Sequence, residues 1–499
     1  MFVTAILLLV LILLLLYLGC HKPKGYPPGP RWWPILGCAL EVARIRQETG
    51  YLFKTCSTLC KKYGPVVGLK IGKDRIVILN DLESVRAMLT NEDCDGRPIG
   101  PLFEARTFGA RRDERLWMEQ RRFVLRHLRE FGFGRTSMAT IIEDEALKLV
   151  EHFKKLLRDG HNYEITDIRK LTIDNNNTGQ IYKLKDSKNN LNKSKLYDPG
   201  DKEVTYLQRN LTKLLREVDI IGAPFSHFPL LRFIAPELSG YKSFLQTHEE
   251  VWAFLKEELH NHKNTFVSNA PRDLIDVYLT VLNSKDCSDT FSESQLLAIC
   301  VDLFVAGSET TSKALGFGFL YLILFPQVQR KAHEEIDKVL GRDRFPTLAD
   351  RPRMPYIQAV VLESLRMFMG RTLNVPHRAL KDTSIVGHKI PKDTMLIVNF
   401  NSMLMDESWS DPENFRPERF LDSSGNVVTP ENYFPFSIGR HRCMGEILAR
   451  SNIFIITATL LQAFSFSVIP GEPRPSTQDF VDGVTSTPKP YRALVSLRT

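Results

Sequence analysis

The feature that most narrows the folds open to this chain is a glycine-flanked cysteine near its C-terminus. Residues 436–445 read Phe-Ser-Ile-Gly-Arg-His-Arg-Cys-Met-Gly, and an apolar segment predicted to be helical follows over 446–464. Cys443 should therefore lie at a helix N-terminus, where free N–H groups and the helix dipole favour a thiolate. Gly439 and Gly445 permit a tight turn and let backbone N–H groups approach the sulfur. Such a thiolate is a ligand for iron or another thiophilic metal, although a lone cysteine is more often a buried structural residue.

A second motif, Ala-Gly-Ser-Glu-Thr-Thr at 306–311, lies inside the most hydrophobic internal helix, predicted over 293–325. Glycine costs about 1 kcal/mol in a helix interior relative to alanine, so Gly307 suggests that another group approaches the backbone closely. Glu309 and Thr310 place an acid beside a hydroxyl in an apolar wall, which suits proton delivery. Taken alone, such a patch is more often structural. Charged residues in the helix, Lys313 among them, make it a core helix and not a bilayer helix.

Two further pairs have helical spacing. Glu363 and Arg366 are an acid and a base three residues apart on an apolar helix, where an ion pair needs a buried network. Trp117 and Arg121 are four residues apart and can donate together to one carboxylate. Taken one at a time, each of these four residues is an ordinary core or surface residue.

The pattern F-x-x-G-x-[basic]-x-C-x-G resembles the haem-binding loop of the cytochrome P450 superfamily, in which a cysteine thiolate ligates haem iron. The resemblance covers almost the whole chain and is nearest to microsomal, insect-type members. It implies a mainly α fold with minor β, in one haem-thiolate monooxygenase domain over 35–499. The implied cofactor is haem b, with Cys443 as axial ligand and Phe436 covering the sulfur.

The same resemblance implies roles for the other motifs. Thr310 would be catalytic in oxygen activation, and Glu309 would belong to the proton relay. The residues that would contact the cofactor, several of them through its propionates, are Arg97, Trp117, Arg121, Ala306, His377, Phe436, Gly439 and His441. Glu363, Arg366 and Arg419 would form a structural cluster. His441 is a departure, since many members carry arginine there and the charge of histidine depends on pH.

The first twenty residues predict the cellular compartment in which the chain resides. Residues 2–20 are uncharged and nearly all apolar, and 19 residues of helix rise roughly 28 Å, about one hydrocarbon thickness. Basic residues and a proline-rich run follow. We expect a transmembrane signal anchor over 1–20 and a basic, proline-rich hinge over 21–34, which place the catalytic domain on the cytosolic face of the endoplasmic reticulum membrane. A removed signal peptide is the alternative.

The charge balance bears on partners. A net charge of +8 over 499 residues is a mild excess that suits an anionic membrane or an acidic protein and does not argue for nucleic acid. The sequence shows no dinucleotide fingerprint, so electrons must come from outside. The resemblance implies NADPH-cytochrome P450 reductase as the donor, NADPH acting only indirectly, and cytochrome b5 as a further partner. Arg440, Arg442 and Arg450 are candidate docking cations.

The implied reaction inserts one oxygen atom of O2 into a lipophilic substrate by hydroxylation or epoxidation. A terpenoid hormone precursor, a fatty acid and a xenobiotic are candidate substrates, and the run over 225–231 is a candidate for membrane contact or for core packing. Two alternatives stay open. A haem-thiolate isomerase or dehydratase would keep Cys443 without needing Glu309 and Thr310, and an inactive relative would follow if an unusual internal segment is genuine.

That segment is 170–202, which is dominated by Asn, Lys, Asp and Ser, a composition typical of disorder. We interpret it as a polar insertion or, preferably, as an error of the gene model. Elsewhere, apolar spacing predicts helices over 81–90, 136–158 and 251–265, and a hairpin of strands over 66–71 and 75–80. Final strands are predicted over 464–468 and 494–497.

Overall fold

In the computed structural model of this chain, the described residues are 19–105, 114–134, 136–158, 163–165, 202–216 and 218–498. The expected anchor over 1–20 lies outside these residues except at its last two positions, and the polar segment 170–202 lies outside them except for Lys202. Along the described part of the chain, no helix combines the length and the apolar character that crossing a bilayer requires.

Helices make up most of the described residues, which confirms the expected mainly α class. They are α1 (Ala39–Thr49), α2 (Leu52–Tyr63), α3 (Leu82–Leu89), α4 (Pro101–Ala105), α5 (Glu114–Glu130), α6 (Thr136–Arg158), α7 (Lys202–Leu214), α8 (Pro224–His227), α9 (Leu231–Ile234), α10 (Tyr241–Asn264), α11 (Leu274–Leu282), α12 (Glu293–Leu324), α13 (Pro326–Leu340), α14 (Pro355–Met369), α15 (Asn401–Leu404) and α16 (Glu446–Ala463). Short 3-10 helices cover Glu92–Cys94, Leu348–Arg353, Glu407–Trp409 and Pro417–Phe420.

The strands are short and belong to small sheets. They are β1 (Val66–Ile71), β2 (Asp74–Leu79), β3 (Tyr163–Ile165), β4 (His377–Arg378), β5 (Thr383–Ile385), β6 (His388–Ile390), β7 (Met395–Val398), β8 (Phe464–Ser467), β9 (Phe480–Val481), β10 (Thr487–Pro488) and β11 (Ala493–Leu497). The largest sheet has the order β1-β2-β7-β4, in which β2 and β7 are parallel and pair Leu79 with Val398. A second sheet has the order β3-β11-β8, and β5-β6 and β9-β10 are separate antiparallel pairs.

The long helix α12 is the central element of the core. It begins after Ser292, whose side chain accepts the Gln295 N–H, and it ends where Pro326 starts α13. Helices α13, α14 and α16 pack against it, and α6 packs against α16. Because α12 and α16 meet, the motif at 306–311 and the loop before α16 are carried by neighbouring helices.

A buried ion network lies between α14 and the 3-10 helix at Pro417–Phe420. The Glu363 and Arg366 side chains have no exposed area, and Arg366 Nε and Nη2 donate to the two Glu363 oxygens at 2.7 and 2.8 Å. Arg419 Nε donates to Glu363 Oε1 at 3.1 Å, and Arg366 also donates to the backbone carbonyl of Leu404. The geometry is that of the structural cluster expected for these three residues.

Candidate functional site

Cys443 lies in a sharply turned loop just before α16. Its N–H donates to the Phe436 carbonyl at 2.9 Å, and the Gly445 N–H donates to its sulfur. Gly439 has φ 75°, and a Cβ there would collide with the carbonyl oxygen of Leu89, so only glycine fits. Of the eight cysteines in the chain, Cys443 alone is exposed. The loop therefore presents an accessible sulfur from a fixed backbone.

The pKa of the Cys443 thiol reflects more than the nearby helix end. Although Cys443 is exposed, the protein atoms around its sulfur partly desolvate it and raise the pKa of the thiol, and the Gly445 N–H and the charges of Arg121 and Arg442 only partly oppose this. The cysteine precedes the first helical turn, so one backbone N–H reaches the sulfur and the helix end does not make a thiolate by itself. A bound metal cation deprotonates a coordinating thiol outright, and iron would supply what the helix does not.

Phe436 and Arg450 pack beneath the loop. The Arg450 guanidinium lies 5.0 Å from the centre of the Phe436 ring, and its Nε donates to Glu446 Oε1 at 3.0 Å. These two contacts hold the Arg450 side chain against Phe436 and Glu446. Arg440 pairs with Glu92, while Arg442 pairs with Glu446 and keeps 63% of its side chain exposed.

The predicted polar rim is assembled around His441. Arg97 Nη2 donates to His441 Nδ1 at 2.9 Å, and His441 Nε2 donates to the Asp95 carbonyl at 2.8 Å. The Trp117 ring stacks on His441 at 4.0 Å, and the His377 ring meets it edge-on at 4.8 Å. Arg121 donates to the carbonyl of Arg442, next to the cysteine. The structure thus brings together all five residues expected at the rim.

The charges of this rim fit an anionic group. Burial, followed by the charge of Arg97, lowers the pKa of His441 to about 3 and holds that of His377 well below its ordinary value. Both imidazoles are therefore neutral, and Arg97 and Arg121 stay cationic. Burial also lowers the pKa of the Arg121 guanidinium, and only the charge of the Cys443 sulfur opposes this shift. Carboxylates such as haem propionates would complete this donor set.

The motif in α12 faces open space on one side. Asp302 and Ala306 are exposed although they lie inside a mostly buried helix, and Thr310, four residues further, shares their face. The Thr310 hydroxyl donates to the Ala306 carbonyl at 2.7 Å. An exposed stripe in the middle of a core helix indicates a cavity wall.

Glu309 points elsewhere. It is buried, pairs with Lys313 one turn later, and accepts the Thr212 hydroxyl of α7, so the acid and the Thr310 hydroxyl do not bond to each other. Sequence reasoning noted Lys313 only as a charge in a core helix, and it missed Thr212 and also Thr485, whose hydroxyl Lys313 Nζ reaches at 2.8 Å. A lysine four residues after an acid on an apolar helix was the available signal for Lys313.

Comparisons with known proteins agree with this geometry. The family model described as Cytochrome P450 matches residues 27–495. The chain is 42% identical to "Probable cytochrome P450 303a1" of Drosophila melanogaster, with 98% of this chain and 97% of the relative covered. It is 33% identical to "Farnesoate epoxidase" of Bombyx mori, with 99% and 98% covered, and 34% identical to "Cytochrome P450 2D26" of Rattus norvegicus, with 98% and 97% covered. The chain therefore belongs to the cytochrome P450 family of haem-thiolate monooxygenases, which receive their electrons from a reductase.

Proposed function

We propose that this chain is a membrane-associated monooxygenase that hydroxylates or epoxidises a lipophilic substrate, with Cys443 as the axial ligand of its haem. The observation that carries the assignment of the ligand is the exposed Cys443 sulfur in a loop fixed by Gly439 and Gly445. Arg97, Trp117, Arg121, His377 and His441 would hold the propionates. When bound, the haem supplies the activation of molecular oxygen.

The chain's own residues would handle substrate and protons. Ala306 and Thr310 lie on the exposed stripe of α12, so they would bound the substrate cavity and keep a hydroxyl at its wall. Glu309, buried behind that wall, would take up and pass on protons. Val375, more than half exposed in the segment before β4, adds apolar surface. This supports a lipophilic substrate, and the relative named farnesoate epoxidase favours a terpenoid within that class.

An exposed apolar patch supports contact with the endoplasmic reticulum membrane. Three-quarters or more of Phe233, Ile234 and Leu238 is exposed, and Trp33, Ile35 and Leu40 are more than half exposed. The turn between β1 and β2 joins the two stretches, since the Gly72 N–H donates to the Leu36 carbonyl and the Lys73 N–H to the His227 carbonyl. Phe225, by contrast, is buried, so the run over 225–231 divides between core and surface. We name 33–40 and 230–238 the membrane patch.

The reductase, with cytochrome b5 as a further partner, would dock near the cysteine loop. Of the three expected docking cations, Arg442 is the most exposed, whereas Arg450 keeps only 20% of its side chain exposed and is occupied by Phe436 and Glu446. Arg442 is therefore the better candidate to meet an acidic surface.

The reduced carbon monoxide difference spectrum of the expressed chain tests the proposed function. We expect the Soret band that is typical of thiolate-ligated iron, and its loss in Cys443→Ala. Cys300→Ala is the matched control, because this buried cysteine lies outside the loop and should leave the band in place. Porphyrin held through nitrogen, or not held at all, would overturn the assignment. Product formation that requires NADPH and reductase then separates a monooxygenase from an isomerase or dehydratase.

A further inference from the structure

A buried lysine stands beside the acid of the α12 motif. Lys313 is 3% exposed and Glu309 5%, and the ammonium pairs with Glu309 Oε2. Lysine is rarely buried to this degree unless it is paired, and an ion pair in such a place is a poor source of stability. Its position, one turn from a proposed proton-relay residue, calls for a functional explanation.

Three elements meet at this pair. Helix α7 supplies the Thr212 hydroxyl to Glu309, and the turn between β9 and β10 supplies the Thr485 hydroxyl to Lys313. Arg216, just after α7, donates to the Val481 and Asp482 carbonyls of the same turn at 2.9 Å each. Both Glu309 oxygens are therefore engaged, Oε1 by Thr212 of α7 and Oε2 by Lys313, and neither bonds to Thr310.

The surrounding charges favour an ionised Glu309. Burial would raise the pKa of this carboxyl, but the Lys313 ammonium, the Thr212 hydroxyl and the charge of Arg216 together hold it below its ordinary value. Across the cluster, Asp482 balances Arg216 and pairs with Arg46. At neutral pH, Glu309 is thus a proton acceptor before it can be a donor.

We propose that Lys313 is a positioning residue that fixes Glu309 as a carboxylate at the junction of α7, α12 and the β9–β10 turn. The proposal rests on the proposed role of Glu309 in proton transfer and adds to it a residue outside the 306–311 motif. Without the ammonium, burial is no longer outweighed, and the pKa of Glu309 rises into the range of activity measurements, as it does for other buried carboxyls.

The first test measures hydrogen peroxide released per NADPH consumed by the full-length haem protein with reductase, without added substrate, across pH. We expect Lys313→Met to show a new titration step between about pH 6 and 8, and the Lys313→Met/Glu309→Gln double variant to lack it. Lys313→Arg and Thr485→Val both leave a cation at position 313 beside Glu309, so neither variant should show the step. Lys331→Met, at an exposed lysine paired with Glu418, is the matched surface control.

Thermal unfolding gives a readout independent of turnover. A carboxyl whose folded pKa is raised destabilises the protein as pH rises above its unfolded value of about 4.3, so Lys313→Met should melt below its Glu309→Gln double variant at pH 8, and the difference should shrink as pH falls toward about 4. Lys313→Gln serves if Lys313→Met does not fold. A titration step that persists in the Lys313→Met/Glu309→Gln double variant overturns the proposal. So does a Lys313→Met variant that shows neither the step nor a pH-dependent difference in melting. A wild type without the thiolate band would instead refute the proposed function and leave the melting comparison valid.

Discussion

At the scale of single residues, Arg366 shows how much depends on one buried charge. Its guanidinium makes two bonds to Glu363 and others to the backbone carbonyls of Leu404 and Pro412, which leaves none of its side chain exposed. A network of this kind is satisfied only while every member is present. The segment it joins to α14 leads to the cysteine loop, so the cluster supports the site without touching it.

We expect Arg366→Ala to lower the free energy of unfolding by about 3–5 kcal/mol, because it removes the bidentate partner of the fully buried Glu363 carboxylate and leaves Arg419 as its remaining ion-pair partner. Arg366→Lys should rescue this poorly, since an ammonium cannot make the bidentate pair. Denaturant unfolding and haem content measure the effect. Arg44→Ala, at an arginine that is 61% exposed and pairs with the exposed Glu48, is the control and should cost less than about 1 kcal/mol. Wild-type stability in Arg366→Ala would contradict this account.

Residue identities were largely predictable at the site, but contacts between distant segments were not. Cys443, Arg97 and His441 were found through a local motif and a resemblance, and the structure places them in one region. Thr212 and Thr485 carry no local signal, because each meets the Glu309–Lys313 pair across 97 and 172 residues of chain. The sequence shows the helix end that favours a thiolate at Cys443, but it does not show that the surrounding protein atoms desolvate the thiol and raise its pKa.

At the scale of elements, helices with uninterrupted apolar spacing were predicted best. α6 was predicted to the residue, whereas α10 begins ten residues earlier than expected. Its first turns carry Thr247 and His248, which are buried although polar, and their side chains bond back to the helix carbonyls of Ser243 and Phe244. Tertiary packing creates that burial, so periodicity could not show it. Strands of two to four residues, such as β4 and β5, are too short to have a pattern.

The end of α10 offers a test of pH dependence. His262 Nε2 bonds Asp273 Oδ2 at 2.9 Å, and Asp273 caps α11. Burial opposes protonation of His262, but Asp273 outweighs it and raises the pKa of the imidazole, while His262 lowers that of Asp273 despite its burial. The histidine's contribution is complete below its unfolded pKa and is lost as pH rises through its raised folded pKa.

His262→Gln should therefore reduce the melting temperature more at pH 6 than at pH 9. Differential scanning calorimetry measures this difference. His260→Gln, two residues earlier on the exposed face of the same helix, is the control, because its ring bonds the Asn264 amide and no acid. An equal loss at both pH values would show that the pair is not an ionic one.

At the scale of the whole molecule, the proposed membrane patch and the cysteine loop would give the chain an orientation at the membrane. The patch combines residues 33–40, which lie beside the turn of the β1–β2 hairpin, with the segment between α8 and α10. A lipophilic substrate would reach the cavity from this side, while an acidic electron donor would meet Arg442.

We expect a tryptophan placed by Phe233→Trp in the full-length protein to be quenched by brominated lipids in reconstituted vesicles, because position 233 would lie within the bilayer surface. Val267→Trp is the matched control. Val267 is also exposed. It follows the C-terminal end of α10, whereas Phe233 precedes the N-terminal end, and the 24 residues of this helix span roughly 36 Å. Quenching is compared with that of the parent protein. Equal quenching at both positions would refute the assigned orientation.

The parallel pairing of β2 with β7 has a consequence for biosynthesis. Leu79 must find Val398, some three hundred residues later in the chain. At about 5–20 residues per second of translation, one edge of the β1–β2 hairpin stays open for roughly 15–60 seconds while the ribosome completes the rest. An uncovered edge strand is a template for wrong pairing. We therefore expect a chaperone or a nearby lipid surface that shields this edge until the late strand emerges to reduce wrong pairing.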